Sequence, residues 1–454
     1  MQTMETSTAS SLTHSTRLGF HYYPDTLHYR ESDLEIWLPE LKALGASWLV
    51  LQSSIDRAIP ESFLCGLLRA NIEPVITFNL SLPNPPSAAE LRTLSEAYAR
   101  WGARYVILFD RPNSRSSWSS AAWIQQDLIE RFLDRYLPLA TLTQQAGLVP
   151  VFPPLEPGGN YWDLAFLRSS LESLQKRHQN HLLDNLVLSA YAWTHDHSLN
   201  WGAGGPERWP EARPYFTPNG VEDHRGFRIF DWYQTISQAV LQQACPVILL
   251  NSGVPCDPNK CSPEDVDPAF YTDKMLAIAR LMSGEYVCDP EDPKSLLDPV
   301  PPSVLASNFW LLADDPLSTT SYQAWYQPET KNHPVVEKMK DWIVKPQPAE
   351  HQAIPFGHSL EKENQHPIRH YLLLPTYDGS VTDWHLNLIH PYVKKYLPTV
   401  GFSLDEASMA ERVTVIGDEQ IFPEDNLNHL RQTGSLVERI EGIGTSIATQ
   451  LLER

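Results

Sequence analysis

Eight short apolar runs, each followed by a longer stretch of helical periodicity, constrain this chain more than any other feature. The runs are LGFHYY (18–23), SWLVLQ (47–52), EPVITFN (73–79), RYVILFD (104–110), LVPVFP (148–153), NLVLSAY (185–191), PVILLN (246–251) and ASNFWLL (306–312). Most are continuous in Val, Ile and Leu rather than alternating, as a strand covered on both faces requires. Between them Ser32-Asp33-Leu34-Glu35 marks a helix start, and apolar residues recur at helical spacing over 88–101 and 123–145. Strand alternating with helix predicts parallel β-α units. Eight such units close most naturally into a (β/α)8 TIM barrel. The alternative, an open doubly wound sheet, carries a glycine-rich phosphate loop after its first strand, and LGFHYYPD has none.

A chain of 454 residues accommodates a barrel of ~250 residues or more and one smaller domain. Residues 1–17 are polar and read as a flexible N-terminal segment; the barrel takes 18–340. Residues 341–368, polar and proline-containing, read as a linker. The remainder, 369–454, predicts a small three-strand α/β domain, with HYLLLP, RVTVIG and LVERI as strands. DWHLNLIHPYVKKY, PEDNLNHLRQTG and TSIATQLLER supply its helices.

The formal net charge of −20 argues against nucleic acid and anionic membranes as partners, since both select basic faces. Neutral sugars remain compatible with it. No run of ~18 apolar residues is present, so no membrane insertion is expected. The polar start MQTMETSTASSLTHSTR has no apolar h-region, and both absences favour a cytoplasmic protein. The five cysteines form no C-x-x-C pair, and His195 and His197, flanking Asp196, lack a third ligand at metal spacing. Neither a metal nor a cofactor is therefore expected.

In a barrel the loops after the strands build the site face, and the longest inserts here follow strands six, five and seven. The insert WTHDHSLNWGAGGPERWPEARPYF carries Trp193, Trp201, Trp209, Tyr215 and Phe216. Such rings both pin down a long loop and stack on the apolar faces of sugars, and both readings stand. His21 and Tyr22, at the end of the first run, are placed to line a pocket.

Two segments carry a resemblance. RYVILFDRPNSRSSW resembles the fourth strand of the large glycoside-hydrolase clan in which that strand ends in Asn-Glu-Pro. CPVILLNSG resembles the same clan's nucleophile strand, where Pro-Val and apolar residues lead to Thr-Glu-x-Gly. Trp310 stands where the clan carries a tryptophan at the floor of the site. Position by position, the acid/base glutamate maps to Arg111, the asparagine before it to Asp110, and the nucleophile to Asn251. Retaining glycosidases need two carboxyl groups ~5–5.5 Å apart and inverting ones ~6.5–9.5 Å. An arginine stays protonated, and an asparagine amide is a poor nucleophile.

The resemblance thus implies a barrel lacking both standard glutamates, a carbohydrate-binding pseudo-enzyme. His21, Tyr22, Trp193, Trp201 and Trp310 would line its cleft, with Arg111 and Asn251 as polar contacts. One alternative is an active glycoside hydrolase using relocated carboxylates, Asp110 and Glu156; another is a non-catalytic scaffold or interaction protein. Residues 412–454 resemble one unit of the bacterial cell-wall-binding repeat, a V-x-V-x-G-G strand end followed by a helix and V-x-R-I-x-G. Gly417-Asp418 replaces the usual Gly-Gly. That resemblance implies a cell-surface location, against which stands an α/β interaction or dimerisation domain.

Overall fold

The computed structural model describes residues 16–255, 267–291, 295–327, 332–344, 368–375, 389, 392–393, 398–441, 447 and 450. The N-terminal segment before residue 16, most of the 341–368 segment, and most of the helices read in DWHLNLIHPYVKKY and TSIATQLLER lie outside them. The chain divides into two compact units, 1–351 and 352–454.

All eight apolar runs form parallel strands. They are β1 (Leu18–His21), β2 (Ala46–Gln52), β3 (Glu73–Thr77), β4 (Tyr105–Ile107), β5 (Val149–Val151), β6 (Leu188–Trp193), β7 (Val247–Gly253) and β8 (Val304–Phe309). Their order is β5-β4-β3-β2-β1-β8-β7-β6. A parallel bridge between Phe152 and Leu188 joins the two ends, so the sheet closes into a barrel. Phe152 N donates to Val187 O at 2.8 Å and Ser189 Oγ to Phe152 O at 2.7 Å across this seam.

Strand alternation sorts the apolar residues into two cores. Val50, Val75, Tyr105, Ile107, Val151, Ile248 and Leu250 pack together inside the barrel. Leu49, Leu51, Ile76, Val106 and Leu108, one residue out of phase, meet the surrounding helices. That two-sided burial is why the runs lack polar alternation.

The helices follow local signals. The helix Ala88–Arg100 starts with a capping box, Ser87 N donating to Glu90 Oε2 at 2.7 Å. The periodic stretch 123–145 is broken: a turn at Ser120–Trp123 precedes the helix Leu128–Gln145. The Arg131 guanidinium donates to the carbonyls of Ala122, Gln125 and Gln126 in that break, satisfying backbone groups a continuous helix would have paired. No helix among the described residues is long and apolar enough to cross a membrane.

The second unit holds a parallel sheet of four strands, β9 (Ile368–Leu373), β10 (Thr399–Gly401), β11 (Ala410–Ile416) and β12 (Leu436–Ile440). Their order is β10-β9-β11-β12. The three expected strands are present, and the three-residue β10 adds a fourth; after Pro398 it is too short to show a period of its own.

Gly19 shows how tightly the barrel is closed. The register sets it between Trp48 of β2 and Asn308 of β8. A Cβ there would lie 2.1 Å from Asn308 Oδ1, 2.7 Å from Trp48 Cβ and 2.9 Å from Trp48 O. One contact is backbone, so a side chain cannot be absorbed by rotation alone. Gly19→Ala should cost about 1–3 kcal/mol, read as a lower urea midpoint at unchanged slope. An unaltered midpoint would show that the barrel wall yields more easily than this packing implies.

Candidate functional site

At the carboxyl ends of the strands the barrel opens into a cavity of about 440 Å³. Ile107 and Leu250, members of the inner core, form part of its floor. Around them stand His21, Asp110, Arg111, Trp193, Asn251 and Trp310, so residues from β1, β4, β6, β7 and β8 converge on one space. Glu156 joins them through Arg111.

Arg111 sits where the chain turns out of β4, with a left-handed backbone (φ 44°). Its N–H donates to Pro154 O at 2.9 Å, pinning that turn to the segment after β5. Its Nε donates to Asp110 Oδ2 at 2.8 Å and its Nη1 to Glu156 Oε2 at 3.1 Å. The other Asp110 oxygen accepts the Tyr191 hydroxyl at 2.6 Å. Burial works to lower the Arg111 pKa, but the Asp110 carboxylate and, less strongly, Glu156 outweigh it and hold the guanidinium above its usual range. Burial, reinforced by Asp110, pushes the Tyr191 phenol well up, so it stays a hydrogen-bond donor.

Glu156 is itself held by a buried amide. Asn113 Nδ2 donates to the carbonyls of Glu156 and Tyr161, both at 2.9 Å, and its Oδ1 accepts the Glu156 N–H at 2.8 Å. The loops after β4 and β5 are therefore fastened together, and the carboxylate–guanidinium–carboxylate array is set by backbone as well as by charge.

β7 reaches the cavity through an irregularity. Ala190 pairs with Leu249 and Tyr191 with Asn251, so β7 carries one extra residue at Leu250. Such a bulge re-aims side chains, and here Leu250 and Asn251 both line the cavity. The carbonyl of Leu250 is taken up by His21 Nε2–H at 2.6 Å. A carbonyl only accepts, so Nε2 carries the proton and a neutral His21 keeps Nδ1 as an acceptor. Burial pushes the His21 pKa down to about 4, the Leu250 hydrogen bond offsetting only part of that.

Aromatic rings flank the bulge. Trp193 stacks on Tyr191 with centroids 4.6 Å apart and planes 10° from parallel. Trp310 lies 4.8 Å from the His21 ring, and its Nε1 donates to Gln323 Oε1 at 2.6 Å. The side-chain amides of Gln52, Asn79 and Asn251 also line the cavity, and none makes a hydrogen bond among the described residues.

Two expected lining residues lie elsewhere. Tyr22 is fully buried among Tyr29, Trp37 and Phe63. Alternation along β1 turns His21 inward and therefore Tyr22 outward, against the helices. Trp201 braces the insert after β6, its ring stacked 4.0 Å from His197 and its Nε1 donating to Asp223 Oδ1 at 3.3 Å. Tyr191 was missed, although it stands two residues before Trp193 in one strand, the spacing that puts both on one face. Gln52 and Asn79, at the ends of the second and third runs, were readable by position alone. No group of three or more His, Cys, Asp or Glu among the described residues could hold a metal ion.

No family model and no curated protein matches this chain. Among solved structures it is similar to a family 39 glycoside hydrolase from Bacteroides cellulosilyticus WH2, at 10% identity and a TM-score of 0.44, covering 72% of this chain. It spans only 63% of that protein. It is also similar to a GH128 (subgroup II) endo-β-1,3-glucanase from Sorangium cellulosum, at 11% identity and a TM-score of 0.39, with 73% of this chain and 98% of that one covered. A β-galactosidase from the psychrophilic Marinomonas ef1 shows 10% identity and a TM-score of 0.31 over 93% of this chain and 75% of its own. The barrel assignment stands on this chain's own strand pairing.

The lowered pKa of the partly buried His21 should make the barrel acid-sensitive in a defined window. The unfolded chain takes up the His21 proton near 6.5, the folded one only near 4. Between those values the unfolded state binds more protons, so stability falls as pH falls. His21→Gln should remove a loss on the order of 2 kcal/mol across that range, measured by urea unfolding at both ends of it. Identical pH profiles for the two proteins would exclude a His21 held neutral across that range.

Proposed function

We propose that this chain is a glycoside-hydrolase-like barrel that binds a neutral carbohydrate at the carboxyl face without cleaving it. The observation that carries this reading is the Arg111 array. A glycosidase needs one carboxyl group to protonate the leaving oxygen and a second to attack the sugar or activate water. The clan resemblance maps the nucleophile to Asn251 and the acid/base group to Arg111. The same Arg111 also engages Asp110 and Glu156 at 2.8 and 3.1 Å, so the relocated pair is tied to a cation. Asp110 is further committed to Tyr191.

The rest of the cavity suits recognition. Its volume, about 440 Å³, falls within the range of roughly 300–1,000 Å³ usual for small-ligand pockets. Trp193 and Trp310 supply apolar faces for pyranose stacking, and the free amides supply donors and acceptors for hydroxyl groups. The second reading, hydrolysis by Asp110 and Glu156, draws on their convergence at one guanidinium. It requires Arg111 to let one of them go.

A panel of glycans tested by calorimetry, alongside turnover of nitrophenyl glycosides and polysaccharides, separates these readings. Binding without turnover is expected, with affinity reduced roughly tenfold or more by Trp193→Ala, since a lost aromatic platform removes about 1–3 kcal/mol. Turnover abolished by Asp110→Asn or Glu156→Gln would overturn the binding-only reading. A blank panel would favour a scaffold acting through residues 369–454.

A further inference from the structure

We propose that the site extends beyond the cavity to an outer sugar-binding platform formed by Tyr215 and Phe216, and that its ligand is therefore a sugar chain. This rests on the carbohydrate-binding reading above and sets the size of its ligand. Both residues lie in the insert after β6, a loop of the site face, and they are 64% and 63% exposed. They belong to a two-residue hairpin in which Arg213 N donates to Phe216 O and Phe216 N to Arg213 O, both at 3.0 Å. Tyr215 takes the third position of that turn with a left-handed backbone (φ 62°), where glycine is the usual residue. Its hydroxyl accepts the Trp162 N–H at 2.7 Å and donates to Asn160 O at 3.1 Å. The ring leans on Trp162, with centroids 5.2 Å apart. It is clamped at its polar end against the loop after β5 while most of its surface faces solvent. A ring held in this way has already lost the freedom that binding would otherwise remove.

The platform is fastened to the loop that carries Glu156. A turn joins Gly159 N to Glu156 O at 2.9 Å. Such a turn brings its end Cα atoms within about 7 Å, and one further residue adds about 3.8 Å, so Asn160 lies within roughly 11 Å of the Glu156 backbone. Glu156 in turn holds Arg111 at the cavity. Asn160 Oδ1 also accepts the Arg115 N–H at 2.9 Å. The insert after β6 thus reaches over the β5 loop to the segment after β4, the sector that carries Asp110 and Arg111. A single sugar in the cavity does not cover that span, whereas a short chain leaving it does. Two rings flanked by exposed Glu211, Arg213 and Asn219 are too small and too charged a patch for a protein interface, whose core is broad and depleted of charge. They suit a pyranose, whose C–H face stacks on an aromatic ring while its hydroxyls meet polar neighbours.

Ligand-observed NMR titration of the full chain tests this, with glucose, mannose, xylose and galactose each set against its β-1,4-linked di-, tri- and tetrasaccharide. In a series that binds, affinity should rise roughly tenfold from the monosaccharide to the tetrasaccharide, the effect of one added stacking contact. Tyr215→Gly removes the first ring and suits the left-handed turn. Phe216→Ala removes the second and leaves the Tyr215 clamp in place. Each should shrink the rise and the double variant should abolish it, with monosaccharide affinity unchanged as the control for an intact cavity. Equal affinity at every length, a rise that survives the double variant, or a loss that falls equally on the monosaccharide overturns the outer platform while leaving carbohydrate binding intact. A change of sedimentation coefficient in the double variant would assign the rings to self-association and overturns it too. No binding of any sugar overturns both the platform and the binding reading.

Discussion

Hydrogen bonds across the β5–β6 seam hold the two ends of the eight-stranded sheet together, and the cavity exists because of them. Phe152 donates to Val187 and accepts from Ser189, and beyond that bridge the Tyr191 hydroxyl reaches Asp110. Asp110 follows β4 and Tyr191 lies in β6, with only the three residues of β5 between them. In an open sheet of the same order β5 and β6 would be the two outer edges. Closure converts a separation of 81 positions in sequence into a 2.6 Å hydrogen bond. It also satisfies the two edges that an open sheet would leave exposed.

Within the closed wall, one extra residue decides what faces the cavity. Without the bulge, alternation would leave Leu250 pointing inward and Asn251 outward into the helical layer. The bulge admits both, and its cost is one carbonyl outside the ladder. His21 meets that cost, and its own burial keeps it neutral. The Asn251 amide, the imidazole and the irregularity in β7 are therefore one structural unit, drawn from strands far apart in sequence.

The eight runs were legible because strands buried on both faces must be apolar throughout, a demand that composition cannot hide. The convergence of Arg111, Asn251, His21, Trp193 and Trp310 on the carboxyl face followed from their place at strand ends. What the sequence concealed was side-chain direction. Tyr22 adjoins a cavity residue and points the opposite way, since neighbours on a strand face opposite sides. Trp201 belongs to an aromatic-rich insert whose rings also brace its own backbone, and only its contacts with His197 and Asp223 tell bracing from recognition. The bulge and the Arg111–Glu156 bond, between residues 45 positions apart, have no local signature.

Arg111 is the hub of the polar groups at the cavity rim. Its guanidinium stands between two acids, Asp110 and Glu156, whose carboxylates offset its charge. With side chains 24–42% exposed, these pairs add little to stability. Their effect is positional. The guanidinium fixes Asp110 for Tyr191, Tyr191 supports the Trp193 ring at 4.6 Å, and Trp193 forms part of the cavity wall. On the binding reading, the position that would serve catalysis in a hydrolase serves here to set an aromatic platform, and the same array disfavours ligands carrying a net charge. On that reading a single arginine sets both the chemistry and the shape of the site.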